Sequence, residues 1–170
     1  MNQMIVGISD CKVSNDPDSE LLTYALGSCI AVIAHDPVST VGGMLHFMLP
    51  EASLDQTKAQ QSPCMFADTG IATLLNMICQ QGANRRRLVV RIAGGAQILD
   101  DHELFQIGHR NCLAARKLLW KAGVLVAGEI VGGNASRTVR LEVGTGRAWV
   151  REGGGSEQPL PASRASAKGV

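Results

Sequence analysis

The residue of this sequence best suited to chemistry is Cys29, a thiol that directly follows Gly27 and Ser28 and begins an apolar run. His46 lies near the end of the next apolar segment, after a turn-rich stretch at 35–40. A thiolate is the attacking species in catalysis by cysteine, and a neighbouring imidazole can take the thiol proton and later protonate the leaving group. These residue types in adjacent segments are therefore candidates for a nucleophile and its base.

The spacing of the two apolar runs predicts that they pair as antiparallel strands. If Ala34 pairs with Val41 across the loop at 35–40, the same register places Cys29 directly opposite His46. Side chains in that relation have Cβ atoms about 4.5–5.5 Å apart, which is within reach of a thiol–imidazole contact. A slip of one residue would send the two side chains to opposite faces of the sheet.

Each of these residues also has an ordinary structural interpretation. A single Cys in an apolar strand is more often a small core residue than a nucleophile, and a His beside Phe47 is more often a core or edge histidine. The Ser28 hydroxyl can donate to an oxyanion or bond its own backbone in a turn, and the two interpretations carry equal weight. On spacing alone, the core interpretation is favoured.

The other four cysteines form no motif known to bind metal or exchange disulfides. No Cys-x-x-Cys occurs, and no two histidines have the i, i+4 spacing of a helical zinc site. Five cysteines in a chain of 170 residues indicate reduced thiols in a reducing compartment. We interpret Cys11, Cys64, Cys79 and Cys112 as packing residues.

Two further segments carry residue types found in ligand sites. Asp100, Asp101, His102 and Glu103 include metal-ligand types, but consecutive side chains rarely converge on one ion, so we expect a solvated turn. The doublet Gly94-Gly95 ends a predicted strand, but the glycine patterns of phosphate-binding loops are absent. We therefore expect neither a metal nor a cofactor.

The composition limits the class of protein. A chain of 170 residues with 45% apolar and 18% charged residues can form one compact domain with a buried core. Its formal net charge of +1 gives no field that would attract nucleic acid or an anionic membrane. No apolar stretch approaches the roughly 20 residues of a membrane span, and the N-terminus lacks a signal-peptide pattern. We expect a cytoplasmic protein with no nucleic-acid partner and no membrane insertion.

Eight predicted strands and two predicted helices must position the candidate residues. The strands are 4–8, 21–25, 29–34, 41–48, 88–93, 124–131, 138–143 and 147–150. Apolar residues at helical spacing predict helices over about 68–81 and 108–121, each ended by a glycine. Because many strands follow one another through short turns, we expect an α+β fold with a mixed, largely antiparallel β core flanked by helices.

Two segments show no pattern of regular structure. Residues 51–63 are polar and Gln-rich, which predicts a long loop. From Gly153 onward the chain lacks periodicity, which predicts a disordered tail over 153–170 after a single domain at 1–152.

Six motifs in chain order resemble the chemoreceptor glutamine deamidase (CheD) family of bacterial chemotaxis. They are LLTYALGSCIAVIAHDP, GGMLHFMLP, FADTG, RIAGGA, IGHRN and GGN, and they extend from Leu21 to Asn134. The resembled family has a β-rich core flanked by helices, a fold shared with cysteine-hydrolase toxin deamidases. The resemblance covers most of the predicted domain, whereas a lone Gly-Ser-Cys would mean little.

The resemblance assigns roles to three residues by motif position. It implies that Cys29 is the nucleophile, that His46 is its partner, and that Thr23 helps complete the site. A strand threonine by itself indicates only β-propensity, so the assignment of Thr23 depends on the resemblance. The segments 93–97 and 107–111 are expected near the cleft, without a role that the residues themselves reveal.

The activity that the resemblance implies is hydrolysis of selected glutamine side chains in methyl-accepting receptors, which yields glutamate and ammonia. It also implies possible hydrolysis of receptor glutamate methyl esters and binding of a CheC-type phosphatase. We expect backbone N–H groups near Ser28 and Cys29 to hold the oxyanion, and Gly27 to let the substrate approach closely. The alternative is a non-catalytic adaptor of the same fold that docks a phosphatase or a receptor. The sequence does not identify the receptor, the glutamine or the oligomeric state.

Overall fold

The computed structural model describes residues 1–97 and 106–163. Its strands are β1 (Asn2–Ile5), β2 (Asp10–Ser14), β3 (Ser19–Leu26), β4 (Ile30–Asp36), β5 (Val41–Phe47), β6 (Val89–Gly94), β7 (Val126–Val131), β8 (Arg137–Glu142), β9 (Ala148–Glu152) and β10 (Glu157–Pro159). Its α-helices are α1 (Gln56–Gln61), α2 (Ala67–Gln80) and α3 (Ile107–Lys121). The cluster at 100–103 lies outside the described residues.

The strands form two five-stranded sheets. The first sheet has the order β1-β3-β8-β9-β10, and the second has the order β2-β5-β4-β6-β7. The pairs β1–β3 and β6–β7 are parallel and the other pairs are antiparallel. The predicted α+β class with a mixed, largely antiparallel core is therefore confirmed.

Two apolar layers hold the sheets and helices together. One side of the second sheet faces the first sheet and contributes Ala31, Ile33 and Met44 to the layer between them. The opposite side packs against α2 and α3 through alternate residues such as Val32 and Leu45. Both faces of this sheet are thus covered, which explains why β4 and β5 are buried along their whole length.

The predicted helices are confirmed, because α2 and α3 cover 67–80 and 107–121. In α2 the side chains of Ile71, Leu74 and Ile78 are buried at the spacing of one helical face. The Gln-rich segment is not one continuous loop, since it contains a 3₁₀ turn at Ala52–Leu54 and helix α1. The Asp55 side chain accepts a hydrogen bond from the Lys58 N–H and caps α1.

The predicted register between β4 and β5 is wrong by two positions. His35 and Asp36 extend β4, so that Asp36 pairs with Val41 and the turn shortens to 37–40. His46 then lies opposite Ala31 rather than Cys29. Because the shift is an even number of residues, it leaves all side chains on the faces that the sequence predicted.

Distant polar contacts explain why β4 continues through two polar residues. The Nε2 atom of His35 lies 2.8 Å from the carbonyl oxygen of Val143, and the Asp36 carboxylate accepts two hydrogen bonds from the Arg87 guanidinium. Both side chains are buried, and the Asp36 carboxylate also accepts from the backbone N–H groups of Val38 and Asn84.

The structure also differs from the expected tail over 153–163. Residues 157–159 form β10 at the edge of the first sheet, and Leu160 is buried in the layer between the sheets. The Ser163 N–H donates to the Ala127 carbonyl oxygen. Strands β2 and β10 were not predicted, because each is too short or too polar to show a period of two.

None of the helices within the described ranges is long and apolar enough to cross a membrane.

Candidate active site

The candidate site lies between the two sheets, at the end of β5. Thr23 projects from β3 of the first sheet, and His46 projects from β5 of the second. Cys29 lies just before β4, next to the strand that carries His46. The structure therefore joins Thr23 and His46 across the two sheets and places Cys29 two residues before Ala31, the residue that pairs with His46.

A hydrogen bond joins Thr23 to His46 directly. The Thr23 Oγ1 atom is 2.8 Å from His46 Nδ1 and 2.7 Å from the Val6 carbonyl oxygen. A hydroxyl has a single proton to donate, and a carbonyl can only accept, so that proton belongs to the bond with Val6. Thr23 therefore accepts from the Nδ1–H of His46, which leaves the Nε2 lone pair without a proton.

Burial keeps His46 neutral. Its side chain is fully buried, and this desolvation lowers its pKa to about 4. Asp10 lies opposite His46 on β2, and its negative charge acts against that shift by raising the pKa. The Nε2 atom has no hydrogen-bond partner within the described part of the chain. A buried, unpartnered imidazole nitrogen is the form that a general base requires.

Cys29 is on the same face of the second sheet as His46. Its side chain is half-buried against the layer that contains Ala31, and Ala31 is the direct partner of His46. Cys29 is thus the diagonal neighbour of His46, two positions along the adjacent strand. Burial raises the pKa of the Cys29 thiol, so both members of the pair are uncharged at neutral pH.

The carbonyl groups of the segment 27–29 are held by hydrogen bonds. Gly27 and Cys29 accept from the N–H groups of Ala96 and Gly95, at 2.8 Å in each case. The Ser28 carbonyl accepts from the Asn111 side-chain amide at 2.9 Å. The N–H of Ser28 donates to no acceptor among residues 1–97 and 106–163, and the N–H of Cys29 is directed at its own sulfur. The carbonyl groups of this segment are therefore fixed, and the Ser28 N–H stays unpaired among the described residues.

Glycine is required at two positions behind the thiol. A Cβ atom on Gly94 would lie 2.2 Å from the Cys29 carbonyl oxygen, and one on Gly95 would lie 2.3 Å from the Cys112 sulfur. Both glycines also have positive φ angles, of 114° and 63°. The doublet that ends β6 therefore supports the backbone of Cys29 and does not form a phosphate loop.

The role of Asn111 is what sequence reasoning missed most clearly, although the segment 107–111 was expected near the cleft. Asn111 is fully buried on α3, and its Nδ2 atom donates to the Ser28 and Met48 carbonyl oxygens. It therefore ties the segment before Cys29 to the end of the strand that carries His46. An asparagine inside a helical pattern was the available signal, since buried amides need partners. Asp10 was missed because β2 was not predicted.

A β-bulge in β3 orients Thr23. The register between β3 and β8 shifts between Thr23 and Leu26, and Ala25 has a φ of 55° there. Both Thr23 and Leu26 are fully buried, although three positions separate them. The bulge therefore lets Thr23 reach His46 and still leads the chain into the segment of Cys29.

The described residues offer no obvious metal centre. Within 1–97 and 106–163, no group of three or more His, Cys, Asp or Glu side chains is placed to hold a metal ion.

Substitution of Thr23 by valine tests the hydrogen bond to His46. We expect kcat of any reaction in which His46 acts as the base to fall about 10- to 100-fold with little change in KM, because the buried Nδ1–H loses its acceptor and the tautomer is no longer held. Thr23→Ser keeps the hydroxyl and should restore most of the activity. Imidazole ¹⁵N shifts should show proton exchange between the two ring nitrogens in Thr23→Val only. Equal activity in the two variants would contradict this role.

Comparison with known proteins gives consistent results. The family described as "CheD chemotactic sensory transduction" matches residues 48–152. The chain is 53% identical over 161 residues to the "Probable chemoreceptor glutamine deamidase CheD" of Solibacter usitatus, covering 95% of each protein. It is 52% identical over 160 residues to a similarly named protein of Syntrophus aciditrophicus, covering 94% of this chain and 100% of the relative. It is 38% identical over 154 residues to the "Chemoreceptor glutamine deamidase CheD" of Thermotoga maritima, covering 91% and 94%.

Proposed function

The chain belongs to the CheD family, and from this membership we propose that it is a protein-glutamine glutaminase that converts selected glutamines of chemoreceptors to glutamate. The observation that supports this most is the buried Nε2 lone pair of His46, on the same sheet face as a half-buried thiol. A histidine with only a packing role would have both nitrogens satisfied or exposed.

The proposed reaction begins with neutral partners. The Cys29 thiol gives its proton to His46 Nε2 while the sulfur attacks the carboxamide carbon of the glutamine. Because the pKa of Cys29 is raised and that of His46 is lowered, the proton moves during the attack and no ion pair exists beforehand. Thr23 stabilises the imidazolium by accepting from Nδ1–H throughout.

The tetrahedral intermediate carries its negative charge on the former amide oxygen. The Ser28 N–H, which has no acceptor among residues 1–97 and 106–163, and the Cys29 N–H beside the sulfur are suited to bind that oxygen. A further contribution of the Ser28 hydroxyl to binding of this oxygen stays a prediction. Gly27 places no side chain over the thiol, which allows the substrate to approach the backbone closely.

Collapse of the intermediate breaks the C–N bond. The imidazolium of His46 supplies the proton with which ammonia leaves, and a thioester to Cys29 remains. His46 then takes a proton from water, whose oxygen attacks the thioester carbon. The C–S bond breaks, the sulfur recovers its proton from His46, and the glutamine has become glutamate.

The substrate class follows from the family. The relatives' names specify chemoreceptor glutamine, and we propose the receptor's cytoplasmic domain as the substrate of this chain, which places the enzyme in the cytoplasm. Binding of a CheC-type phosphatase and hydrolysis of receptor glutamate methyl esters stay predictions. The adaptor alternative is less well supported, because an adaptor has no use for an unpartnered buried imidazole nitrogen.

Incubation of the full chain with chemoreceptor cytoplasmic domains tests the proposed activity. We expect ammonia release together with conversion of specific glutamines to glutamate, mapped by mass spectrometry of receptor peptides. A receptor domain whose mapped glutamine is replaced by alanine should release less ammonia. Tight receptor binding with no conversion in any domain would support the adaptor and overturn the enzyme.

A further inference from the structure

Arg91 is a buried charge that has no counter-charge among residues 1–97 and 106–163. It lies on β6 with 8% of its surface exposed, and its Nη1 atom donates to the Gly146 carbonyl oxygen at 3.1 Å. Its Nε atom has no hydrogen-bond partner, and no carboxylate within residues 1–97 and 106–163 forms an ion pair with it. A buried guanidinium is costly unless an anion compensates for the lost hydration.

The other buried arginine shows how this protein usually satisfies such a group. Arg137 on β8 pairs with Glu152 at 3.0 Å and also donates to the Gly94 carbonyl oxygen. Arg87 and Arg140, which are less buried, are paired with carboxylates as well. Among the described residues, Arg91 therefore differs from these arginines in having an unpaired donor and no ion-paired carboxylate.

A cavity borders Arg91. Its volume is about 350 Å³, and residues from the start of β9 and the end of β10 line it, including Ala148, Trp149 and Leu160. The exposed Arg147 is a second cation in the lining, which contains no acidic residue. The cavity is thus a basic site with two guanidinium groups and one unsatisfied donor.

We propose that this cavity binds a small molecule through a phosphate or carboxylate group held by Arg91 and Arg147. The planar guanidinium offers several donors in a geometry that matches both kinds of oxyanion. The volume exceeds that of the oxyanion alone, so the ligand carries an additional group against Trp149 or Leu160.

This site is separate from the thiol. Thr23 and His46 meet across β3 and β5, whereas the cavity is bounded by β9 and β10 at the other edge of the first sheet. Binding of an anion there is therefore distinguishable from binding of substrate at Cys29.

Thermal unfolding of the full chain in Tris chloride at constant ionic strength provides the first test. Inorganic phosphate and acetate serve as probes of the two oxyanion classes, and chloride is the reference. At a concentration tenfold above its Kd, the anion that binds should raise Tm by about 3–6 °C. The probe with the larger effect identifies the chemical class. No increase with either probe would overturn the proposal.

Two substitutions show whether the effect depends on the cavity. Arg91→Met removes the charge at nearly constant size and should weaken phosphate or acetate binding at least tenfold. Without added anion it should unfold at a temperature equal to or above that of the original chain, since an uncompensated buried charge is gone. Arg85→Met removes an exposed charge and is the matched control, with unchanged anion binding. An equal response in both variants would contradict the site.

A spectroscopic measurement on the unmodified chain keeps the test valid if Arg91→Met fails to fold. The Arg91 Nε–H resonance and the amide of Ala148 should shift with added anion in a saturable manner. The rate of ammonia release from a receptor domain, per molecule of protein, should be the same for Arg91→Met and for the unmodified chain. Shifts that occur only near Cys29 would show that the anion occupies the substrate site, and would overturn the proposal.

Discussion

Replacement of Cys29 by alanine should lower kcat/KM for receptor glutamine deamidation by at least about 10³-fold, because no other group can form the thioester. Cys29 is half-buried, and its side chain makes no hydrogen bond on which the fold depends, so Tm should change little. Ammonia release and mass-spectrometric mapping of the receptor domain measure the effect.

Cys79→Ala provides the matched control for that experiment. Cys79 is also a half-buried free thiol, but it lies on α2, at the far side of the second sheet from the site. Its replacement should leave activity unchanged. Receptor binding by Cys29→Ala should persist, since the thiol supplies chemistry and little contact area. Unchanged ammonia release by Cys29→Ala would remove the basis of the proposed mechanism.

Replacement of His46 by glutamine should lower kcat about 10²- to 10⁴-fold, the range typical of a lost general base.

The pH dependence of the unmodified enzyme is more diagnostic than this loss. Only the neutral imidazole accepts the thiol proton, and burial lowers the pKa of His46 to about 4. The acid limb of kcat/KM should therefore lie near pH 4, whereas an exposed imidazole would place it near 6.5.

The alkaline side of the same profile should be flat through pH 8, because the raised pKa of Cys29 keeps the thiol protonated until attack.

At acid pH, a fall in activity caused by unfolding must be separated from one caused by protonation of His46. A histidine whose pKa is lowered by folding binds a proton more readily in the unfolded chain, so stability falls as pH drops below about 6.5. Far-UV circular dichroism at each pH gives the folded fraction by which rates are corrected.

His35→Gln is the matched control for the pH profile. His35 is likewise buried with a lowered pKa, but it contacts the Val143 carbonyl oxygen and not the site. The acid limb of this variant should be the same as that of the unmodified enzyme after correction for folding. An acid limb near 6.5 in the unmodified enzyme would show that His46 is solvated in the active state, and would contradict the buried-base mechanism.

Local patterns in the sequence were sufficient for much of the fold. The helical spacing of Ile71, Leu74 and Ile78 predicts α2 correctly, because a long periodic element requires only its own residues. The glycines after both long helices predict where these helices end. The β-branched segments predict most of the strands. The motif around Cys29 and His46 identified the family, which the comparisons confirm.

The sequence by itself determined which residue types are available to the site and on which face of the sheet they lie, since the alternation along a strand survives an even shift in register. Only the tertiary structure decided the register, through contacts between residues far apart in the chain, such as His35 with Val143. It also decided the proton position on His46, because Thr23 and Val6 come from other strands. The hydrogen bond from Asn111 to the Ser28 carbonyl oxygen spans 83 residues, and an asparagine in a helical pattern does not by itself identify that partner. Local periodicity depends only on the residues of one strand or helix, whereas the geometry of the site depends on contacts among several strands and helices.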